Sequence, residues 1–151
     1  MILVDTNIPL RLIQKGHPHH QPALDALELL RKRDQEQFAV APQTLYEMYV
    51  VCTRPKAQNG LGLAPPQALN ELVQVRTIFQ LLQELAGVYS TWEALVGKYA
   101  VAGKPAHDVR LVAMMVEHRV ARILSFNDQD LKRYAEIESL NPFDVLGLPR
   151  A

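Results

Sequence analysis

The sequence predicts a single α/β domain over residues 1–151, with a mainly parallel central sheet flanked by helices in an α/β/α sandwich. The chain has 151 residues, of which 48% are hydrophobic, and this size suits one core with little room for a second. Short apolar runs alternate with segments of helical periodicity, which is the pattern of a layered α/β protein. No internal repeat, low-complexity tract or linker divides the chain.

Five segments are predicted as strands because each is a short, mostly apolar run bounded by polar residues or helix breakers. They are residues 2–4, 38–41, 78–82, 122–125 and 137–140. The first begins almost at the terminus and stops at Asp5, as expected of a buried parallel strand that leads into a helix. The segment 78–82 fits a helix as well as a strand, and we interpret it as a strand.

Helices are predicted where apolar side chains recur at helical spacing or where proline supplies a start signal. One begins near Asn7, and the others cover residues 19–33, 42–53, a segment that starts at 65, 90–101 and 105–118, with a short helical turn at 128–133. Residues 54–64 are rich in glycine and other breakers and are predicted as a loop. In such folds a ligand site lies beyond the carboxyl ends of the strands, where the strand order reverses.

Charge and hydropathy argue against two classes of protein. The 16 basic and 16 acidic residues balance, unlike those of a protein that coats nucleic acid, although metal ions can neutralise phosphate locally in an enzyme. No apolar run reaches the roughly 20 residues that cross a bilayer, and the first residues lack a secretory signal pattern. A single cysteine, Cys52, fits a reducing compartment, so we expect a cytoplasmic protein with no membrane partner.

Four carboxylates are predicted to meet at the carboxyl edge of the sheet. Asp5 and Asp128 each follow a predicted strand, and Asp108 occupies the first turn of the helix that Pro105 opens. Glu47 lies on a helix with apolar residues on nearly every side, where an ionised carboxylate is costly unless a cation pairs with it. Taken singly, each aspartate also suits a helix cap or a first turn, so the prediction depends on the combination.

Carboxylates placed together repel one another, and hard divalent cations relieve this repulsion. An all-oxygen site fits Mg²⁺ or Mn²⁺, and such a site suits hydrolysis of a phosphodiester by an activated water.

Two other enzyme classes fit the sequence poorly. Asn7 stands where phospho-aspartate enzymes of the haloacid-dehalogenase kind need a second aspartate, and no Gly-x-Gly-x-x-Gly follows a strand.

Four segments resemble the PIN-domain pattern, and in particular the VapC-type toxin ribonucleases of bacterial toxin–antitoxin pairs. They are residues 2–7 (Ile-Leu-Val-Asp-Thr-Asn), 46–51 (Tyr-Glu-Met-Tyr-Val-Val), 106–113 (Ala-His-Asp-Val-Arg-Leu-Val-Ala) and 123–131 (Ile-Leu-Ser-Phe-Asn-Asp-Gln-Asp-Leu). The resemblance covers nearly the whole chain, in order. It implies a metal-dependent endoribonuclease with an RNA substrate, which forms a homodimer and is inhibited by a small cognate antitoxin protein.

By position, Asp5, Glu47 and Asp108 match the acidic metal site of this family, which would make them catalytic residues. Asp128 is predicted to complete the site, and the nearby Asn127 and Asp130 are the alternatives. All of these residues lie in the four segments that carry the resemblance.

Two further groups of residues are predicted around this site. Thr6, Ser125 and Asn127 are predicted to orient the carboxylates or a metal-bound water. Arg110 and Lys104 are predicted to bind phosphates of the substrate. Two alternatives remain: a PIN nuclease that acts on another RNA or on single-stranded or structured DNA, and a non-catalytic PIN scaffold that binds RNA or protein.

Overall fold

A five-stranded sheet lies at the centre of the computed structural model, which describes residues 1–150. Its strands are β1 (Ile2–Val4), β2 (Phe38–Val40), β3 (Gln80–Leu81), β4 (Arg122–Leu124) and β5 (Glu138–Leu140). Every pairing is parallel, in the order β3-β2-β1-β4-β5. The predicted α/β fold is therefore confirmed, and its sheet is parallel throughout.

Helices cover both faces of the sheet. They are α1 (Asn7–Ile13), α2 (His20–Asp34), α3 (Pro42–Thr53), α4 (Pro65–Ile78), α5 (Val88–Tyr99), α6 (Ala106–Glu117), α7 (Asp128–Leu131) and α8 (Pro142–Leu146). Alternate residues of a strand point to opposite faces. Leu3 and Ile123 thus join the apolar residues of α5 and α6 in one core cluster. Ile2, Val4 and Leu124 join those of α1 to α4 in a second cluster, which completes the three layers.

The strand order reverses beside β1, since the chain moves through β2 and β3 on one side and through β4 and β5 on the other. Val4 and Leu124 are register partners at the carboxyl ends of β1 and β4. The N–H of Asp5 donates to the backbone oxygen of Leu124 at 3.0 Å. The residues that directly follow the two strands, Asp5 and Ser125, therefore lie side by side where a ligand site is expected.

The segment 78–82 is only partly a strand. α4 continues to Ile78, and the N–H of Phe79 still donates to the backbone oxygen of Val75 at 2.9 Å. Val75 and Phe79 are both buried, so the helix keeps its apolar face on the core up to this point. The prediction is corrected accordingly: β3 is reduced to Gln80–Leu81 at the edge of the sheet.

The helix α3 is less buried than its composition predicts. Leu45 and Met48 are buried, but Tyr46 and Val50 expose 67% and 56% of their surface. Only one face of α3 is covered, and Glu47 lies half-buried at the edge of that face.

Two short helical segments are missing from the sequence prediction. A 3₁₀ turn at Lys56–Gln58 interrupts the predicted loop, and α8 follows β5 near the end of the chain. The side chain of Asn141 caps α8 by accepting from the N–H of Phe143 at 3.0 Å. Within residues 1–150 no helix has the length and apolar character needed to cross a membrane.

Candidate active site

A cavity of about 1070 Å³ lies at the carboxyl edge of the sheet, where Thr6 forms part of its wall. The wall also carries three carboxylates, which belong to Glu47 of α3, Asp108 of α6 and Asp130 of α7. Asp5 directly precedes Thr6, and its charge acts on Asp108. Asp5, Glu47, Asp108 and Asp130 are called the acidic site below.

Three hydrogen bonds hold the carboxylate of Asp5. Its Oδ1 accepts from the N–H of Thr6 at 2.7 Å, and its Oδ2 accepts from Asn7 Nδ2 at 2.9 Å and Ser125 Oγ at 2.6 Å. The two oxygens of a carboxylate offer about four acceptor positions, so these donors leave about one for a ligand. Asn7 Oδ1 also accepts from the N–H of Phe126 at 3.0 Å, which ties the loop after β1 to the loop after β4.

A second set of hydrogen bonds positions Glu47. Its Oε2 accepts from Thr6 Oγ1 at 2.7 Å, and its Oε1 accepts from Gln43 Nε2 at 2.9 Å. Gln43 Nε2 also donates to the backbone oxygen of His107 at 2.9 Å. Thr6 therefore connects Glu47 to Asp5 through its hydroxyl and its N–H, and Gln43 connects Glu47 to the start of α6.

Burial and mutual repulsion raise the pKa values of two carboxyls in the acidic site. Burial is the largest cause for Asp5, and the charge of Glu47 adds to it, while the hydrogen bonds to Asp5 lower its pKa in part. The pKa of Asp108 is raised by burial and then by the charges of Asp5, Asp130 and Glu47. Among the described residues, no salt bridge reaches any of these four carboxylates. The acidic site thus concentrates negative charge that the chain itself does not pair.

Asp128, which the sequence predicts as the fourth carboxylate, does not line this cavity. It is only 1% exposed, and Arg150 Nη1 and Lys132 Nζ approach its two oxygens at 2.9 and 3.0 Å. Asn141 Nδ2 donates to its Oδ1 at 2.9 Å. Burial alone would raise the pKa of Asp128, but the hydrogen bonds outweigh it and lower this pKa below its usual value. Cations of the chain already pair Asp128, so its position suits a structural role.

Asp130, one of the two alternatives that the sequence leaves open for the fourth position, lines the cavity. The two aspartates are two residues apart in a helical turn, which rotates their side chains about 200° from each other. Asp128 therefore faces Arg150, and Asp130 faces the cavity. Asn127, the other alternative, also lines the cavity, and its N–H donates to Ser125 Oγ at 3.0 Å. Of the three candidates for the fourth position, Asp130 and Asn127 line the cavity and Asp128 does not, so we take Asp130 as the fourth carboxylate.

Both residues predicted to bind phosphate, Lys104 and Arg110, line the cavity. Arg110 is already engaged, since its Nη2 donates to Glu84 Oε1 at 2.7 Å and its Nη1 donates to Gln43 Oε1 at 3.2 Å. Lys104 is exposed in the turn that precedes α6. The two residues therefore lie in the cavity wall with the acidic site, and Arg110 has less capacity than Lys104 to bind a phosphate.

Two positioning side chains are missing from the sequence prediction, Asn7 and Gln43. Gln43 precedes Glu47 by about one helical turn, a spacing that places two side chains on the same face of a helix. That spacing is a signal that the sequence does contain. Asn7 carries no comparable signal, because an asparagine near a helix start is common for capping reasons alone.

Comparisons with known proteins agree with this fold. The family model of the PIN domain matches residues 2–137. Two mycobacterial proteins, a VapC ribonuclease of Mycobacterium bovis and ribonuclease VapC13 of Mycobacterium tuberculosis, are each 29% identical to the chain over 145 residues. Each alignment covers 93% of this chain and 99% of the relative.

Three solved structures have a similar fold. VapBC2 from Rickettsia felis bound to a DNA fragment of its promoter has a TM-score of 0.68 at 18% identity and covers 93% of this chain and 98% of its own. VapBC-1 from nontypeable Haemophilus influenzae has a TM-score of 0.64 at 12% identity, and a toxin–antitoxin complex from Klebsiella pneumoniae has a TM-score of 0.62 at 20% identity. Each of these two matches covers 94% of this chain and 98% of the other chain. At these identities the likeness concerns the fold alone. The family match, in contrast, spans all four residues of the acidic site, and the chain belongs to the PIN domain family.

Proposed function

We propose that this PIN-domain protein is a metal-dependent endoribonuclease, the toxin of a toxin–antitoxin pair, which hydrolyses phosphodiester bonds of RNA. The observation that carries the proposal is the acidic site, where three carboxylates without a salt bridge line one cavity and Thr6 connects the fourth, Asp5, to them at the point where the strand order reverses. The relatives that align over nearly their whole length are named as VapC ribonucleases, which supports RNA as the substrate.

The residues of the acidic site fit Mg²⁺ or Mn²⁺, since they offer carboxylate oxygens only. Burial, and after it mutual repulsion, raise the pKa values of Asp5 and Asp108, and a bound cation would relieve the repulsion. Within residues 1–150, acidic, histidine and cysteine side chains do not form a ready-made cluster of three or more metal ligands. Mg²⁺ keeps several of its waters and binds directly to few carboxylates, so it does not require such a cluster.

Such an ion, when bound, would supply an activated water and neutralise charge on the attacking and leaving oxygens. Asp108 and Asp130 line the cavity and would bind the ion there. Asp5 and Glu47 are held rigidly through Thr6, so their remaining acceptor positions are fixed relative to each other. Side chains fixed in this way orient the ion and the substrate without further ordering at the moment of reaction.

The test is cleavage of RNA and of single-stranded DNA by the purified protein in Mg²⁺, Mn²⁺ or EDTA, beside Asp5→Ala and the control Asp25→Ala on α2. We expect RNA cleavage that needs the metal, is unchanged in the control and falls more than about 100-fold in Asp5→Ala, because even residues that merely support metal ligands are worth about 10–100-fold. Cleavage of DNA alone, binding of RNA without cleavage, or full activity in folded Asp5→Ala would each contradict the proposal.

Thr6→Val is expected to lower kcat/KM for RNA about 10–100-fold, a typical loss for a residue that supports a metal ligand. Valine keeps the shape and the N–H to Asp5 but removes the hydroxyl that donates to Glu47 Oε2. Thr6→Ser, which retains the hydroxyl, serves as the matched control. Activity of the valine variant within twofold of wild type would show that Glu47 needs no help from this hydroxyl.

The proposal extends to partners, because the three neighbours in fold come from toxin–antitoxin complexes. We infer a small antitoxin protein that inhibits this chain, a homodimeric state and a cytoplasmic location. The exposed Tyr46 and Val50 offer an apolar surface beside Glu47 that suits such contacts. Light scattering of the purified protein tests the dimer, and growth rescue by a co-expressed small neighbouring gene tests the antitoxin.

A further inference from the structure

We propose that Arg54 binds a backbone phosphate of the RNA that neighbours the phosphate being cleaved. The inference rests on the proposed ribonuclease function and adds a substrate-binding residue to it. Arg54 lines the same cavity as the acidic site. Three other cationic side chains, Lys104, Arg110 and Arg133, also line it, and the four differ in what else they contact.

Two of these cations are committed to partners within the chain. Arg110 donates to Glu84 Oε1 at 2.7 Å. Arg133 donates to the backbone oxygen of Tyr99 at 2.7 Å, and its guanidinium lies 5.6 Å from the ring centre of Tyr134. Such partners hold a side chain in place and reduce what it gains from a new ligand.

Arg54 has no such partner among residues 1–150. Its side chain is half-buried, and its Nε is shielded from solvent without a hydrogen bond. The two Nη groups of Arg54 also have no hydrogen-bond partner within residues 1–150, but unlike Nε they stay accessible to solvent. A phosphate oxygen in the cavity can accept from these Nη groups, and such a charge-assisted bond would hold a side chain that no group of the chain holds. The planar guanidinium presents paired N–H groups that match the oxygens of a phosphate.

The backbone of Arg54 is held firmly. Its N–H donates to the oxygen of Val50 at 2.9 Å at the end of α3, and its own oxygen accepts from the N–H of Gly62 at 2.9 Å. The loop folds back so closely that a Cβ on Gly60 would lie 1.9 Å from the oxygen of Arg54, so only glycine fits there. These backbone contacts fix the position from which the guanidinium of Arg54 reaches the wall of the cavity.

The position of Arg54 indicates which phosphate of the RNA backbone it binds. It follows Glu47 by about two helical turns, roughly 10 Å along the axis of α3, so the two positions share one side of this segment. Val50 and Val51, which also line the cavity, lie between them. A phosphate at Arg54 is therefore displaced along the strand from the phosphate at the acidic site. Arg54 is assigned to substrate positioning rather than to the chemical step.

The first arm of the test measures cleavage of a single-stranded RNA by wild type, Arg54→Ala, Arg54→Lys and Arg76→Ala in Mg²⁺. Arg76 is an exposed arginine of α4 outside the cavity and is the matched control. We expect Arg54→Ala to raise KM about tenfold with kcat within twofold, the loss of one charge-assisted contact. Arg54→Lys recovers part of the loss, and Arg76→Ala changes neither constant. An unchanged KM in Arg54→Ala overturns the inference.

The second arm needs no turnover, so it separates this inference from the proposed function. Binding of the same RNA is followed by fluorescence anisotropy in the Asp108→Asn background across a range of salt. Loss of one phosphate contact reduces the slope of log K against log salt by about 0.7 for a single strand. If wild type fails to cleave RNA, the proposed function falls, and the slope still decides the role of Arg54.

The third arm replaces single phosphates of the RNA by neutral methylphosphonates. One position beside the cleavage site should weaken binding in the Asp108→Asn background but have no effect once Arg54→Ala is added. If Arg54 had a merely structural role, the effects of the methylphosphonate and of Arg54→Ala on RNA binding would be additive, because the two changes would not remove a shared contact. Additive effects at every position therefore overturn the inference.

Discussion

Asp108→Asn is expected to abolish RNA cleavage and, in the absence of metal, to make the protein more stable. Burial and the charges of Asp5, Asp130 and Glu47 raise the pKa of Asp108 above its unfolded value. The ionised carboxyl therefore costs stability at neutral pH, and this cost disappears as the pH falls and the group becomes protonated. Asparagine has a similar shape without the charge, so the variant is free of this cost at every pH.

The measurement is a thermal melt of both proteins in EDTA at pH 7. The melting temperature of the variant is expected to rise by about 2–4 °C for each kcal/mol by which its free energy of unfolding increases. RNA cleavage in Mg²⁺ should fall by more than about 100-fold. Added Mg²⁺ should stabilise wild type more than the variant, because only a ligand bound to the folded state raises its stability. A lower melting temperature for Asp108→Asn in EDTA would contradict the repulsion that we infer from the acidic site.

The opposite directions of these two effects explain why, within residues 1–150, no salt bridge pairs a carboxylate of the acidic site. A salt bridge to Asp108 would stabilise the fold but would occupy the charge that the ion needs. The contrast with Asp128 illustrates this, since Arg150 and Lys132 pair its carboxylate and leave it no free capacity. Destabilised, unpaired charge of this kind is typical of functional sites.

The sequence predicts the fold and most of the acidic site because the signals for them are local. Asp5 follows directly on the apolar run of β1, and Asp108 lies in the first turn of the helix after Pro105. A parallel sheet then brings strand ends together whatever the details of the loops. The boundary between α4 and β3 is less local, since an apolar run such as 78–82 satisfies both periodicities.

The choice between Asp128 and Asp130 depends on a contact that local patterns do not contain. Arg150, which donates to both oxygens of Asp128, lies 22 residues further along the chain. Without knowledge of that pairing, either aspartate of the short helix α7 fits a carboxylate beyond β4. The contact between Glu47 and Thr6 is also absent from local patterns, because Thr6 lies 41 residues before Glu47 and only the tertiary fold brings the two together.

Asp128→Asn and Asp130→Asn are expected to have opposite consequences. Asp128→Asn breaks a buried ion pair, which typically costs about 3–5 kcal/mol. We expect a loss near 3 kcal/mol, because Arg150 is 36% exposed and keeps Asp144 as a partner, so its charge is not stranded. Asp130→Asn removes a carboxylate of the cavity wall that has no salt bridge and repels Asp108, so it should not lower stability and should reduce RNA cleavage more than about 100-fold.

Denaturant unfolding and kcat/KM for both variants test this pair of predictions, and pH adds an independent check on Asp128. The pKa of Asp128 is lowered in the folded state, so its ion pair contributes fully above the ordinary value of 3.8 and is lost as the pH falls below it. The stability difference between wild type and Asp128→Asn should therefore stay constant down to about pH 5 and shrink below about pH 4. If Asp128→Asn instead folds with wild-type stability and loses activity while Asp130→Asn remains active, the fourth carboxylate is Asp128.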